Sequence, residues 1–158
     1  FRKSQPKNEI ISLKDEIPYK FENFFFVYSG EPKLTTGELV QLVRNLDEEY
    51  RNKRVKEIGD MCREMREVLK RRDFKRMKEI INKTQENLAE LGVSTEDIDK
   101  IAKAVRDIGG AAKLCGAGGG GIVLCYHENE DLLMKVLQEL GYEAWKAELG
   151  VDGVRIEK

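Results

Sequence analysis

The chain is poor in the residues that build cross-links and metal sites: three cysteines, one histidine and three prolines among 158 residues. Cys62, Cys115 and Cys125 are odd in number and widely spaced, no Cys-x-x-Cys pair occurs, and His127 stands alone. A Cys/His zinc site needs four placed ligands, so that class is excluded and no metal ligand is assigned. Unpaired cysteines suit a reducing compartment, and a cytoplasmic location is expected. The longest apolar runs are only a few residues, too short to cross a membrane. The polar start Phe1-Arg2-Lys3-Ser4-Gln5 does not read as a secretory signal. Charge of one sign is lacking too: 28 basic residues stand against 29 acidic, net −1. That excludes a globally basic nucleic-acid binder. The first residue is Phe rather than Met, from which the chain is expected to begin inside a longer reading frame.

What the chain does have is 36% charged and 41% apolar residues. A domain of this length buries roughly 68–70% of its unfolded surface, enough for a core without disulfides or metals. Phe24-Phe25-Phe26-Val27-Tyr28 is aromatic and β-branched and predicts a buried strand; residues 9–13 read as a shorter one. Thr35 or Thr36 caps a helix, with Glu38 placed for a capping box from Thr35, and Leu39, Val40, Leu42, Val43 and Leu46 form its apolar face. A long helix over 47–71 carries Val55, Ile58, Met61, Cys62, Met65, Val68 and Leu69 at helical spacing. Asp73 opens the next helix, which Gly92 stops, and Ser94-Thr95-Glu96-Asp97 opens another, ended by Gly109-Gly110. Residues 111–115 and 122–126 read as strands around a glycine run. Residues 130–140 form an amphipathic helix ended by Gly141, and 144–149 and 154–156 are closing strands. This grouping argues an α+β fold with a mainly antiparallel sheet.

Gly116-Ala117-Gly118-Gly119-Gly120-Gly121 is the one sharp chemical signal. Glycine tolerates positive φ and lets backbone approach a ligand, and successive N–H groups can converge on an anion such as phosphate. The match to GxGxxG is weak, because a dinucleotide loop opens a helix and this run enters a strand. No Gly-Lys-Ser/Thr follows, which excludes a Walker loop. A flexible hairpin tip is the plain alternative.

The segment Ala112-Lys113-Leu114-Cys115-Gly116-Ala117-Gly118-Gly119-Gly120-Gly121 resembles the third motif of the GHMP small-molecule kinases. Phe26-Val27-Tyr28-Ser29-Gly30 and Thr35-Thr36-Gly37-Glu38-Leu39-Val40 resemble the strand and helix that open that family's C-terminal half. Leu88-Ala89-Glu90-Leu91-Gly92-Val93-Ser94 and Gly153-Val154-Arg155-Ile156 resemble its mevalonate kinase branch. The resemblance implies a ferredoxin-like GHMP kinase C-terminal domain over 21–158, with 1–20 the residual strand and linker from an N-terminal domain. It implies the C-terminal half of an ATP- and Mg²⁺-dependent kinase whose acceptor is a small alcohol, mevalonate first. Sugar or sugar-phosphate kinases of the heptose-phosphate or galactokinase type, and phosphomevalonate kinase, are the alternatives. Gly116, Ala117, Gly118, Gly119 and Gly120 are the implied phosphate and cleft-closing loop. Ser29, Thr35 and Thr36 are implied on the substrate side. The catalytic base and most of the ATP site are implied on the N-terminal half, so this chain alone is expected to be inactive. Cys115 stands where the family usually has Thr or Ser, which removes a hydroxyl from that position.

Other candidates take plainer readings. The basic residues between Arg51 and Lys78 form a solvated helix face with Glu67–Arg71 and Glu49–Lys53 pairs, and no nucleic-acid partner is assigned. His127 has no triad partner in sequence. Tyr142 and Trp145 are expected in the core or against the other half, and a homodimer stays open. A non-catalytic α+β ligand-binding or interaction module is the rival class.

Overall fold

The computed structural model describes residues 12–149. In chain order the elements are β1 (Phe21–Tyr28), α1 (Thr36–Arg44), α2 (Glu48–Lys70), α3 (Phe74–Glu90), α4 (Glu96–Asp107), β2 (Ala111–Leu114), β3 (Ile122–Tyr126), α5 (Glu130–Leu140) and β4 (Glu143–Leu149). The four strands form one antiparallel sheet in the order β2-β3-β1-β4. With the helices between β1 and β2 counted as one crossover, this is the split β-α-β arrangement of a ferredoxin-like fold. The expected strand at 9–13 falls largely outside the described residues, and Ser12 and Leu13 are not in a strand. The strand expected at 154–156 lies outside them altogether.

The period of two in β1 divides the core. Phe25 and Val27 point to one face, where they meet Val123 and Cys125 of β3, Ala112 and Leu114 of β2, and buried residues of α1, α4 and α5. Phe24 points to the other face and packs with Tyr126, Ala111 and Ala147 against Val68 of α2 and Met77, Ile80 and Ile81 of α3. The helix signals sit where the sequence puts them. Thr35, Asp73 and Thr95 cap α1, α3 and α4 through their side-chain oxygens, and Gly141 ends α5 at φ +76°.

Two faces differ from expectation. Val40 of α1 is 42% exposed and Val55 of α2 is 51% exposed. α1 buries only Leu39 and α2 only Val68, because α2 lies chiefly against α3 and leaves its opposite side to water. The basic stretch is a solvated, ion-paired face: Lys56 and Arg63 pair with Asp60, and Arg76 with Glu64 and Glu79. Glu67 pairs with Lys70 rather than Arg71.

β2 is an edge strand, and α3 closes that edge with side chains. Asn82 accepts from the Ala112 N–H and donates to the Gly110 carbonyl, while Gln85 accepts from the Leu114 N–H at 2.9 Å. An open row of backbone groups would otherwise invite another strand.

Candidate functional site

The glycine run connects β2 to β3 at the end of the sheet where β1 runs out. Gly116, Gly118, Gly119, Gly120 and Gly121 all have positive φ, between +75° and +134°. No residue with a Cβ adopts such a series without strain. The loop is not a free hairpin tip. Its base is closed by the Cys115 N–H on the Ile122 carbonyl at 2.8 Å. The Gly119 N–H donates to the Val93 carbonyl at 2.8 Å, and the Gly121 N–H to the Gly30 carbonyl at 2.7 Å. Gly118 and Gly120 are buried. A Cβ on Gly118 would lie 2.2 Å from the Val93 carbonyl oxygen, and one on Gly120 would lie 3.0 Å from Gly30 and Pro32 backbone atoms. Three separate parts of the chain therefore brace the loop: the β1–α1 connection, Leu39 of α1, and the α3–α4 connection.

These contacts decide which amides a ligand can use. Gly119 and Gly121 have spent theirs inside the protein. Among the described residues the N–H groups of Gly116, Ala117, Gly118 and Gly120 carry no hydrogen bond; Gly118 and Gly120 are buried, and Gly116 is exposed. A Cβ on Gly116 would meet nothing within 4 Å. The loop thus has a braced floor and a rim that is open at Gly116 and half-buried at Ala117, and a rim of unpaired amides suits phosphate oxygens.

The three hydroxyl residues divide. Ser29 is buried, and both its N–H and its Oγ–H donate to the Gly121 carbonyl, at 2.8 and 2.9 Å. It therefore fastens the loop's exit to β1. Thr35 is the cap of α1: its Oγ1 accepts from the Glu38 N–H at 3.3 Å, and its own N–H donates to Glu38 Oε2 at 2.7 Å. The Thr35 N–H and its Oγ1–H, which also donates to Glu38 Oε2 at 2.8 Å, hold the Glu38 carboxyl below its ordinary pKa. Thr36 is exposed on the first turn of α1. Leu39, three residues further, touches the position of a Gly119 Cβ at 3.1 Å, so α1 begins beside the loop.

The remaining candidates are structural or peripheral. Cys115 is half-buried beside the loop; Cys125 is buried, and burial pushes its thiol pKa far up. The His127 ring lies 2.9 Å from the Ile108 carbonyl and 3.1 Å from that of Asn129. Tyr142 packs on the core and donates to Asp97, which raises its phenol to about 12 together with burial. Trp145 is not in the core; it is 42% exposed, beside Phe26. Among the described residues no group of three or more His, Cys, Asp or Glu side chains is placed to hold a metal, and no helix is long and apolar enough to cross a membrane. Sequence reasoning missed Val93, Asn82 and Gln85. The signal for Asn82 and Gln85 was present: polar residues fall beside Ile81 and Leu88 on the buried side of α3.

A family model described as GHMP kinases C terminal matches residues 65–147. The chain is 33% identical over 136 residues to a mevalonate kinase of Methanocaldococcus jannaschii, covering 84% of this chain and 42% of that protein. A crystal structure of a mevalonate kinase superposes with a TM-score of 0.68 at 31% identity, over 78% of this chain and 38% of that one. A Streptococcus pneumoniae phosphomevalonate kinase, solved with phosphomevalonate and AMPPNP, gives a TM-score of 0.64 at 18% identity over 78% and 39%, a likeness of fold. The chain spans about two fifths of the length of the relatives it matches.

Proposed function

Since the chain belongs to the GHMP kinase C-terminal family, we propose that it is the C-terminal half of an ATP-dependent kinase that phosphorylates a small alcohol, with mevalonate the first acceptor to test. The observation that carries this reading is the glycine loop. Its floor is fixed by internal hydrogen bonds, and at its rim the amides of exposed Gly116 and half-buried Ala117 carry no hydrogen bond within the described residues. Similarity to the Methanocaldococcus jannaschii mevalonate kinase supports the choice of acceptor.

ATP supplies the phosphoryl group in this reading, and the rim amides suit its phosphate oxygens. Phosphoryl transfer depends on positioning and on stabilising spread negative charge, and preorganised amides serve both. Mg²⁺ would accompany ATP in this reading and offset the negative charge of its phosphates. Ser29 and the α1 terminus hold the loop and the acceptor side in register. The catalytic base comes from an N-terminal half, which is the partner proposed for this chain. That half covers the apolar row of Phe26, Tyr28, Ile122, Leu124 and Trp145, which lies across β1, β3 and β4 beside the loop. The cytoplasm is the proposed location.

The test is ADP release with mevalonate, phosphomevalonate, galactose and a heptose phosphate as acceptors. It compares the complete protein with this chain alone. We expect mevalonate-dependent turnover by the complete protein and none by the chain. Turnover with another acceptor alone reassigns the substrate, and turnover by the isolated chain overturns the division of labour.

A further inference from the structure

We propose that Gln85, on α3 and outside the glycine loop, is a positioning residue for phosphoryl transfer; this rests on the kinase reading above. Gln85 is 2% exposed and uses both ends of its amide. Its Oε1 accepts from the N–H of Leu114, the last residue of β2 and two residues before Gly116. Its Nε2 donates to Ser94 Oγ at 3.0 Å, and Ser94 Oγ donates to Asp99 Oδ1 at 2.6 Å. Ser94 adjoins Val93, whose carbonyl accepts from the Gly119 N–H and sets the loop's floor. One buried side chain thus ties the strand that enters the loop to the connection on which the loop rests.

The geometry explains why an amide stands here. An apolar residue of this size would leave the Leu114 N–H, whose hydrogen-bond acceptor among the described residues is Gln85, unpaired inside the protein, and burying an unpaired donor is costly. It would also let β2 and the Val93–Ser94 connection shift independently. A glycine loop has no side chains of its own to resist such a shift. A displacement of about 1 Å in groups that meet the reacting phosphate can cost on the order of 10²-fold in rate.

Asn82 provides the matched comparison. It makes the same kind of side-chain bond to β2 from the same helix, but at Ala112 and Gly110, the end away from the loop. The experiment uses the complete protein and the variants Gln85→Met, Ser94→Ala and Asn82→Leu. Three readouts are taken: urea stability, amide hydrogen exchange at Gly119 and Gly121, and steady-state kinetics. We expect Gln85→Met and Asn82→Leu to lose comparable stability. Only Gln85→Met should speed Gly119 exchange at least tenfold beyond the change in global stability, and only it should lower kcat at least tenfold with a smaller change in KM for ATP. Ser94→Ala, a small change that leaves α3 intact, should move exchange and kcat in the same direction by less, and it serves if Gln85→Met does not fold. Equal effects of Gln85→Met and Asn82→Leu on exchange, or unchanged Gly119 exchange in both Gln85→Met and Ser94→Ala, would overturn the proposal. If the wild-type protein transfers no phosphate, the kinase reading fails, while the exchange data still decide whether Gln85 holds the loop.

Discussion

At the scale of single residues, the loop's glycines are not equivalent. Gly118 is required by packing, Gly116 only by conformation. Gly116→Ala meets open space, so its cost is the left-handed strain alone, about 1–2 kcal/mol. Gly118→Ala adds a Cβ 2.2 Å from a backbone oxygen that cannot move without breaking the floor. Its loss should exceed 3 kcal/mol, on the scale of overpacking plus strain. Urea titration of the two variants measures the gap, and equal stabilities would mean the loop is not braced. The same pair separates stability from chemistry. If the rim amides meet phosphate, Gly116→Ala should lower the transfer rate at least tenfold while the fold is nearly intact. Thr35 is tested in a similar way. Thr35→Ala removes the capping box and should cost about 1 kcal/mol, whereas Thr35→Ser keeps it. A thermal melt reads the cap. A fall in transfer for Thr35→Ser at unchanged stability would place that side chain against the acceptor.

At the scale of elements, the segment before β1 is fastened to α2 by charge. Glu16 receives hydrogen bonds from Arg66 and an ion pair from Lys70 at 3.1 Å, and these cations hold its carboxyl down to about 2. Ile17 is buried next to it, and the Tyr19 hydroxyl donates to the Leu69 carbonyl. A carboxyl whose pKa is lower in the folded state stabilises the fold above its ordinary value, 4.5, and that stabilisation fades as pH falls through about 2. Urea midpoints of the wild type and Glu16→Gln should therefore differ at pH 6 and converge near pH 2; a gap independent of pH would exclude the ion pair as its source. Much of the element level was legible in the sequence, because its signals are local. A capping box, a run of Phe and Val, or Gly141 after an amphipathic stretch each act within a few residues. The bracing of the loop was not legible, because its partners lie far off in sequence. Ser29 and Gly121 are 92 residues apart, and nothing near either residue announces the other. The solvated sides of α1 and α2 were hidden for the same reason: periodicity marks an apolar stripe, but only the neighbours decide whether it is covered.

At the scale of the whole molecule, the exposed rings of Tyr28 and Trp145 stand in the strand row that ends beside the loop, so the surface proposed for the partner and the proposed chemistry share one side. The chain has a single tryptophan, Trp145, and it stands in that apolar row at 42% exposure. Its fluorescence should shift to shorter wavelength when the proposed N-terminal half is added to this chain. An unchanged spectrum on binding would place the interface elsewhere, and a shift that depends only on the concentration of this chain would make the row a self-association surface. The strand order carries a different consequence, one of timing. β1 lies in the middle of the sheet, yet both its neighbours, β3 and β4, come from the last third of the described chain. As the polypeptide leaves the ribosome, the aromatic strand emerges before either of its described neighbours and waits through four helices for them. The α2–α3 hairpin closes locally and forms fast, whereas closure of the sheet is a late, long-range event of the kind that slows folding. The same Phe-rich segment that later anchors both cores therefore needs shelter during synthesis until β3 and β4 arrive.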